Sequence, residues 1–251
     1  MRRWLPGSLA TLTILAQIIW PLATGSPRDG LTAATVVLFA LSCASHAWIV
    51  RGPLWMLGWL VISGGIGLLA EVLGTNTGFP FGHYSYADRL GPTLFGVPAV
   101  IPLAWAMMSY PCLLAARRLT TGPLKTAAIA AFALASWDLF LDPQMVGEGH
   151  WTWSSASVIL PGVEGIPLQN FVAWFGVALL LMLILDRLPR RRSDGDVPPD
   201  GVPAVLLTWT YVSNILLNSV FAHRPSVALW GGIAMGLVVI PYLWRVWTAR
   251  A

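Results

Sequence analysis

The sequence predicts an all-α, polytopic bundle of about eight membrane-crossing helices, and three observations carry that prediction. The first is scarcity of charge: 15 basic and 11 acidic side chains in 251 residues, against 56% apolar residues, with a mean hydropathy of +0.69. A water-soluble domain carries about 25% charged residues because its surface must be solvated, so most of this surface faces lipid. The second is a series of apolar runs of about 18 to 23 residues, the length that crosses roughly 30 Å of hydrocarbon at about 1.5 Å per residue. The third is the sorting of basic residues once eight runs are threaded with the N-terminus inside. Arg2, Arg3, Arg51, Arg117, Arg118, Lys125, Arg187, Arg190, Arg191, Arg192, Arg245 and Arg250 then fall on one side, and only Arg28, Arg89 and Arg224 on the other. That is a strong positive-inside bias and predicts a multi-pass protein of the cell membrane with both termini cytoplasmic.

The runs are taken in order. Run 4–23 follows Met1-Arg2-Arg3 and lacks a small-residue cleavage site, so it reads as a retained span and not as a signal peptide. Run 31–50 carries His46, alone among apolar residues and read as a packed histidine. Run 54–73 contains Gly64-Gly65-Ile66-Gly67, which at mid-membrane resembles helix-packing glycine and not a phosphate loop. Runs 94–116, 124–141 and 168–185 follow. Run 204–222 places Tyr211, Asn214 and Asn218 at i, i+3 and i+7, one helical stripe, and run 226–247 is the last span. Segment 189–203, with its Ser-Asp-Gly-Asp and Pro-Pro, reads as a cytoplasmic linker loop. Cys43 and Cys112 lie singly inside apolar runs, which argues against a disulfide framework or a cysteine metal site. No basic stripe tracks phosphates, so nucleic acid is not an expected partner; the lipid bilayer is.

Two connecting segments, 74–93 and 142–167, differ from linkers. Both fall on the outer face and hold the densest aromatic and polar chemistry in the chain. Aligned, they show repetition. Glu71 precedes His83 by 12 residues, and Asp138 precedes His150 by 12. Gly82-His83-Tyr84-Ser85-Tyr86 matches Gly149-His150-Trp151-Thr152-Trp153. Gly96-Val97-Pro98 matches Gly165-Ile166-Pro167, with Trp105 and Trp174 each seven residues after the proline. The expectation is an internal two-helix parallel repeat, spans three and four with spans five and six, related by an axis normal to the membrane. Residues 71–174 would form the repeat-containing catalytic core of a single domain, 1–251.

The repeat puts a carboxylate in the same slot twice. Glu71 and Asp138 each sit in the last turns of an outward-running helix, and Asp142 shares the Asp138 face if that helix persists. An ionisable residue at the centre of a span costs roughly 2.5–3.5 kcal/mol on insertion scales, less near an end. These three therefore face a protein-lined cavity at the outer rim. Asn170, Asn214 and Asn218 are candidates to join it, although asparagine also serves as glue between membrane helices. His83 and His150 raise the question of a metal, but no close ligand spacing accompanies them, and no metal is expected. No nucleotide fingerprint is present.

The segments starting at Glu71 (EVLGTNTGFPFGHYSY), Gly96 (GVP, with Trp105), Trp137 (WDLFLDP), Trp151 (WTW) and Gly165 (GIPLQN) together resemble the CruF-type carotenoid hydratases, integral membrane proteins of carotenoid biosynthesis. The likeness covers about residues 71–174. It implies addition of water to the terminal 1,2 double bond of an acyclic (ψ) carotenoid end group, giving a tertiary 1-hydroxyl. It also implies a membrane-dissolved carotenoid as substrate and association with other carotenoid enzymes as an expectation. Such a reaction protonates one alkene carbon, holds a tertiary cation and delivers water to it. The proton donor must be a carboxylic acid held neutral by its surroundings, aromatic faces can steady the cation, and other water must be excluded. Asp138 is assigned as the acid, with Glu71 or Asp142 orienting water or returning the proton. Tyr84, Tyr86, Trp151 and Trp153 line the cation pocket, and His83, His150, Asn170, Asn214 and Asn218 complete the substrate-binding set. No cofactor is expected. A carotenoid cyclase shares the protonation step. A membrane prenyltransferase is suggested by Asp138-x-x-x-Asp142, although its second aspartate-rich motif is lacking. An ion-coupled transporter is the reading from another class.

Overall fold

The computed structural model describes residues 4–189 and 200–248; most of the expected linker 189–203 lies outside them. Among the described residues eight helices are each long and apolar enough to cross a membrane, and the chain is a multi-pass membrane protein. They are α1 (Leu5–Ile19, prolonged by a 3₁₀ turn Trp20–Leu22), α2 (Ser26–Arg51), α3 (Pro53–Thr77), α4 (Val100–Leu119), α5 (Pro123–Gly147), α6 (Leu168–Leu185), α7 (Gly201–Leu216, prolonged by a π turn Leu217–Phe221) and α8 (Pro225–Thr248). Between α3 and α4 lie the short strands β1 (Tyr84–Tyr86), β2 (Thr93–Leu94) and β3 (Val97–Pro98), and β4 (Trp151–Trp153) lies between α5 and α6.

Helix α4 occupies the centre, buried along most of its length and packed on α2, α3, α5, α7 and α8. In lipid there is no hydrophobic drive between helices, so close approach comes from small side chains. Helix α5 supplies them: Ala127, Ala130, Ala131 and Ala133 are fully buried where α4, α6 and α8 meet it. Gly67 does the same for α3 and α4, since a Cβ there would come within 2.5 Å of the Trp105 ring.

Two boundaries differ from the sequence expectation. Residue 94 does not begin a helix. Phe95 and Gly96 both have positive φ, 53° and 84°, and form a two-residue turn between β2 and β3, so α4 starts only at Val100. Such a turn needs positive φ at both central residues, a demand that an apolar run hides. Conversely, α3 and α5 continue beyond residues 73 and 141, through the first residues of both segments read as loops. Polarity marks the edge of the hydrocarbon, not the end of the backbone ladder. Helix α5 runs through Pro143 to Gly147, and α3 ends where Gly78, in the left-handed region, donates its N–H to the Gly74 carbonyl at 2.8 Å.

The two outer segments lie against each other. Strands β1 and β4 pair antiparallel with Tyr84 opposite Trp153, Ser85 opposite Thr152 and Tyr86 opposite Trp151. Ala87 N–H to the His150 carbonyl (2.8 Å) and Ser154 N–H to the His83 carbonyl (2.9 Å) extend the pairing at both ends. Ion pairs secure this cap to α2. Arg28 meets Glu148 at 2.7 Å and Arg89 meets Asp29 at 2.9 Å, while Arg89 also donates to the Glu148 carbonyl at 2.5 Å.

Candidate active site

Under the β1–β4 cap, Glu71 of α3 and Asp142 of α5 line one small cavity with Asn170 of α6. Glu71 is fully engaged. Its Oε2 accepts from the hydroxyls of Tyr84 (2.5 Å) and Tyr86 (2.7 Å), and its Oε1 accepts from Trp105 Nε1 (3.1 Å). The indole N–H can only donate. Burial, and then the neighbouring Glu71, push both phenols above their ordinary range, so both stay protonated donors. Glu71 therefore accepts three hydrogen bonds, two on Oε2 and one on Oε1.

Asp142 and Asp138 are set differently. They stand one turn apart on α5. The Asn170 amide N–H₂ reaches across from the first turn of α6 to both, meeting Asp138 Oδ2 at 3.0 Å and also Asp142 Oδ2. Trp151 Nε1 donates to Asp142 Oδ1 at 3.1 Å. Asp138 Oδ1 is buried with no hydrogen-bond partner among the described residues. Asp142 faces the cavity, and Asp138 lies behind it, outside the lining.

The cavity is about 30 Å³, room for about one water. Its walls are aromatic. Trp105 and Trp174 stack at 4.0 Å with planes 8° apart. Tyr84 lies against Trp153 at 5.4 Å and Tyr86 against Trp151 at 5.6 Å. Trp153 is fixed by its own N–H on the Phe81 carbonyl at 3.0 Å. Beyond Asp142, Trp151 and Asn170, the sequence-predicted residues thus brought together are Glu71, Tyr84, Tyr86 and Trp153, with Asp138 behind.

The others lie elsewhere. His83 is exposed, packed over Gly78. His150 is buried in the cap, 3.5 Å from Asp29; burial lowers its pKa, with Asp29 opposing. Matched sequence positions therefore do not share an environment. Asn214 lines a different, larger cavity. Asn218 donates to the Asn214 carbonyl at 2.9 Å within its own helix, and the Tyr211 hydroxyl donates to the Gly232 carbonyl of α8 at 3.1 Å. None of the three lines the carboxylate cavity. The residues missed as site members are Phe81, Ile101, Ala104, Trp105, Leu141 and Trp174. For the two tryptophans the signal was present, since they hold matched positions. Among the described residues no three or more His, Cys, Asp or Glu are arranged to hold a metal ion.

Comparison with known proteins follows the same lines. The sequence model of the family described as "Carotenoid biosynthesis protein" matches residues 31–242. A bisanhydrobacterioruberin hydratase of Haloarcula japonica is 31% identical over 161 residues, covering 59% of this chain and 53% of the relative. The chain thus spans about half the length of the curated relative it matches. No solved structure matches.

Proposed function

The chain belongs to the carotenoid biosynthesis protein family, and on that premise we propose that it is a hydratase. It adds water to the terminal 1,2 double bond of an acyclic carotenoid end group to give a tertiary 1-hydroxyl. The observation that carries this reading is a water-sized cavity with a fully hydrogen-bonded carboxylate, Glu71, on one wall, Asp142 backed by Asp138 on another, and aromatic rings between them. The 31% identity to a carotenoid hydratase supports it.

The roles follow from the hydrogen bonds. Two adjacent buried carboxyl groups avoid like-charge repulsion by sharing one proton. Asp142 faces the cavity and so delivers that proton to C2 of the alkene, while Asp138 behind it is the partner that keeps the charge. This reverses the order read from the sequence. Positive charge develops at C1, where indole and phenol faces stabilise it by about 0.5–2 kcal/mol each. Glu71 holds the water, which attacks C1 and passes its proton to the Glu71 carboxylate. A following water returns that proton to Asp142, so protons balance over the cycle.

The helix pairs α3–α4 and α5–α6 are part of the same proposal as two copies of one unit. The crossed β1–β4 register and the stack of Trp105 on Trp174 are what a local two-fold axis would produce. The unequal partners of Glu71 and Asp138 mark where the copies have diverged. The positive-inside bias supports cytoplasmic termini, with the carboxylates at the outer rim.

The test is expression in a host that makes an acyclic carotenoid, followed by mass analysis of the pigments. Hydration adds one water per end group, and Asp142→Asn leaves the substrate unconverted. An isomer of unchanged mass identifies a cyclase instead. Unchanged pigment from well-expressed protein, across several acyclic end groups, overturns both.

A further inference from the structure

The carboxylate cavity raises a question of size. About 30 Å³ admits one water but not a branched isoprenoid end as well, so the alkene must arrive from an adjoining space. A second cavity, of about 230 Å³, lies between α1, α2, α5 and α7 and is roughly eight times larger. Helix α5 walls both. Trp137, Leu141, Gln144 and Met145, spaced i, i+4, i+7 and i+8, line the large cavity, while Asp138 and Asp142 form the neighbouring stripe of the same helix. Leu141 lines both cavities and is the residue their linings have in common.

The large cavity presents mainly hydrocarbon and indole. Its polar side chains are for the most part engaged: Trp20 Nε1 donates to Thr32 Oγ1 at 2.8 Å, Trp209 Nε1 to Gln17 Oε1 at 2.6 Å, and Asn214 Nδ2 to the Thr210 carbonyl at 2.8 Å. Thr35 Oγ1 is buried on this wall with no partner among the described residues. Ile18, Leu216 and Phe221 on the wall are 47%, 50% and 51% exposed, so the cavity opens sideways between α1 and α7 toward the bilayer. A charged or sugar-like ligand would find little to hold; a long hydrocarbon polyene already dissolved in the membrane would find a lateral entrance.

We propose that this cavity lodges the polyene chain of the substrate, entered from the bilayer between α1 and α7. Leu141 is the partition that swings aside to admit the end group to Asp142 and Glu71. The inference rests on the carotenoid reading above for its ligand class, but it is a statement about binding and can fail separately from the chemistry.

The experiment uses the full chain in detergent micelles, loaded with lycopene as a linear hydrocarbon polyene, and reads pigment retained after excess is removed. Ser213→Phe fills the cavity from α7. Ile18→Trp narrows its mouth from the lipid face, where no packed core is disturbed, and decides the matter if Ser213→Phe does not fold. Both are expected to reduce retained lycopene about tenfold, while Asp142→Asn retains it and loses turnover. Thr35→Val removes an unpartnered hydroxyl and is expected to increase retention severalfold; a decrease would mean an oxygen-bearing occupant and overturn the assignment. Wild-type retention in both bulky variants, or no retention by the wild type, also overturns it. If the bulky variants lose lycopene but no pigment gains water in cells, the cavity stands and the hydratase reading falls.

Discussion

Substituting Glu71 separates structure from chemistry because glutamine and alanine perturb it in different ways. Glu71 accepts from Tyr84, Tyr86 and Trp105. Hydrogen bonds to a charged group contribute about 1.5–3 kcal/mol each and neutral ones about 0.5–1.5 kcal/mol. In Glu71→Gln the amide oxygen keeps the Trp105 N–H, and the amide nitrogen faces two hydroxyls that can rotate to accept. About 1–1.5 kcal/mol is lost per bond, offset by no longer burying a carboxylate charge. The thermal midpoint in detergent should therefore move little. Glu71→Ala leaves the Trp105 and Tyr86 donors without this acceptor and Tyr84 with only the long bond to the residue-71 carbonyl at 3.5 Å, at about 1–3 kcal/mol for each unsatisfied donor, so a large fall in midpoint is expected. Both variants lose the proton acceptor, which contributes about 10²–10⁴-fold in rate, so both should leave unhydrated pigment in an acyclic-carotenoid host. Wild-type conversion by Glu71→Gln would refute the assigned role. A Glu71→Ala protein as stable as the wild type would refute the hydrogen-bond accounting.

Three further predictions use other parts of the structure. Asn170→Leu removes the amide shared by Asp138 and Asp142; conversion should fall by about tenfold or more, with the midpoint lowered, checked by pigment analysis and thermal unfolding. Gly67→Ala drives a methyl group into the Trp105 ring and should cost about 1–3 kcal/mol, seen as a lower midpoint and, because Trp105 also holds Glu71, slower hydration. His150 has a pKa below its ordinary 6.5, from burial first, with Asp29 and Glu148 opposing and Arg89 adding to the shift. The unfolded chain then binds the proton more readily, so stability is full above about pH 6.5 and declines as pH falls toward the folded-state value; His150→Gln should flatten that limb of a melting-temperature profile.

Much of the architecture was legible because hydropathy is a local sum. Eight spans emerge from run length alone, and the sixth run, 168–185, coincides with α6. The errors have local causes as well. The Phe95-Gly96 turn is apolar and mimics a helix start, and the step to polar residues at Asp142 mimics a helix end. The site was legible in part for a different reason. Glu71, Asp142, Asn170 and the four strand aromatics are polar or aromatic exceptions in apolar surroundings, so they attract attention individually. His83 and His150 attracted it equally and stand apart from the cavity. Asn214 and Asn218 lie outside that cavity as well, because the placement of α7 is set by packing.

The sequence by itself determined the solvent of this protein, the number of its spans and the end of the bundle where its carboxylates gather, since each depends on residues near one another in the chain. Only the tertiary structure decided that Asp142 and not Asp138 meets the cavity, that Trp105 and Trp174 close it, that it has room for about one water, and that Leu141 also lines a larger apolar space. Those facts depend on which faces of α3, α4, α5 and α6 oppose one another, and close packing of small residues across helices far apart in sequence fixes that rotation.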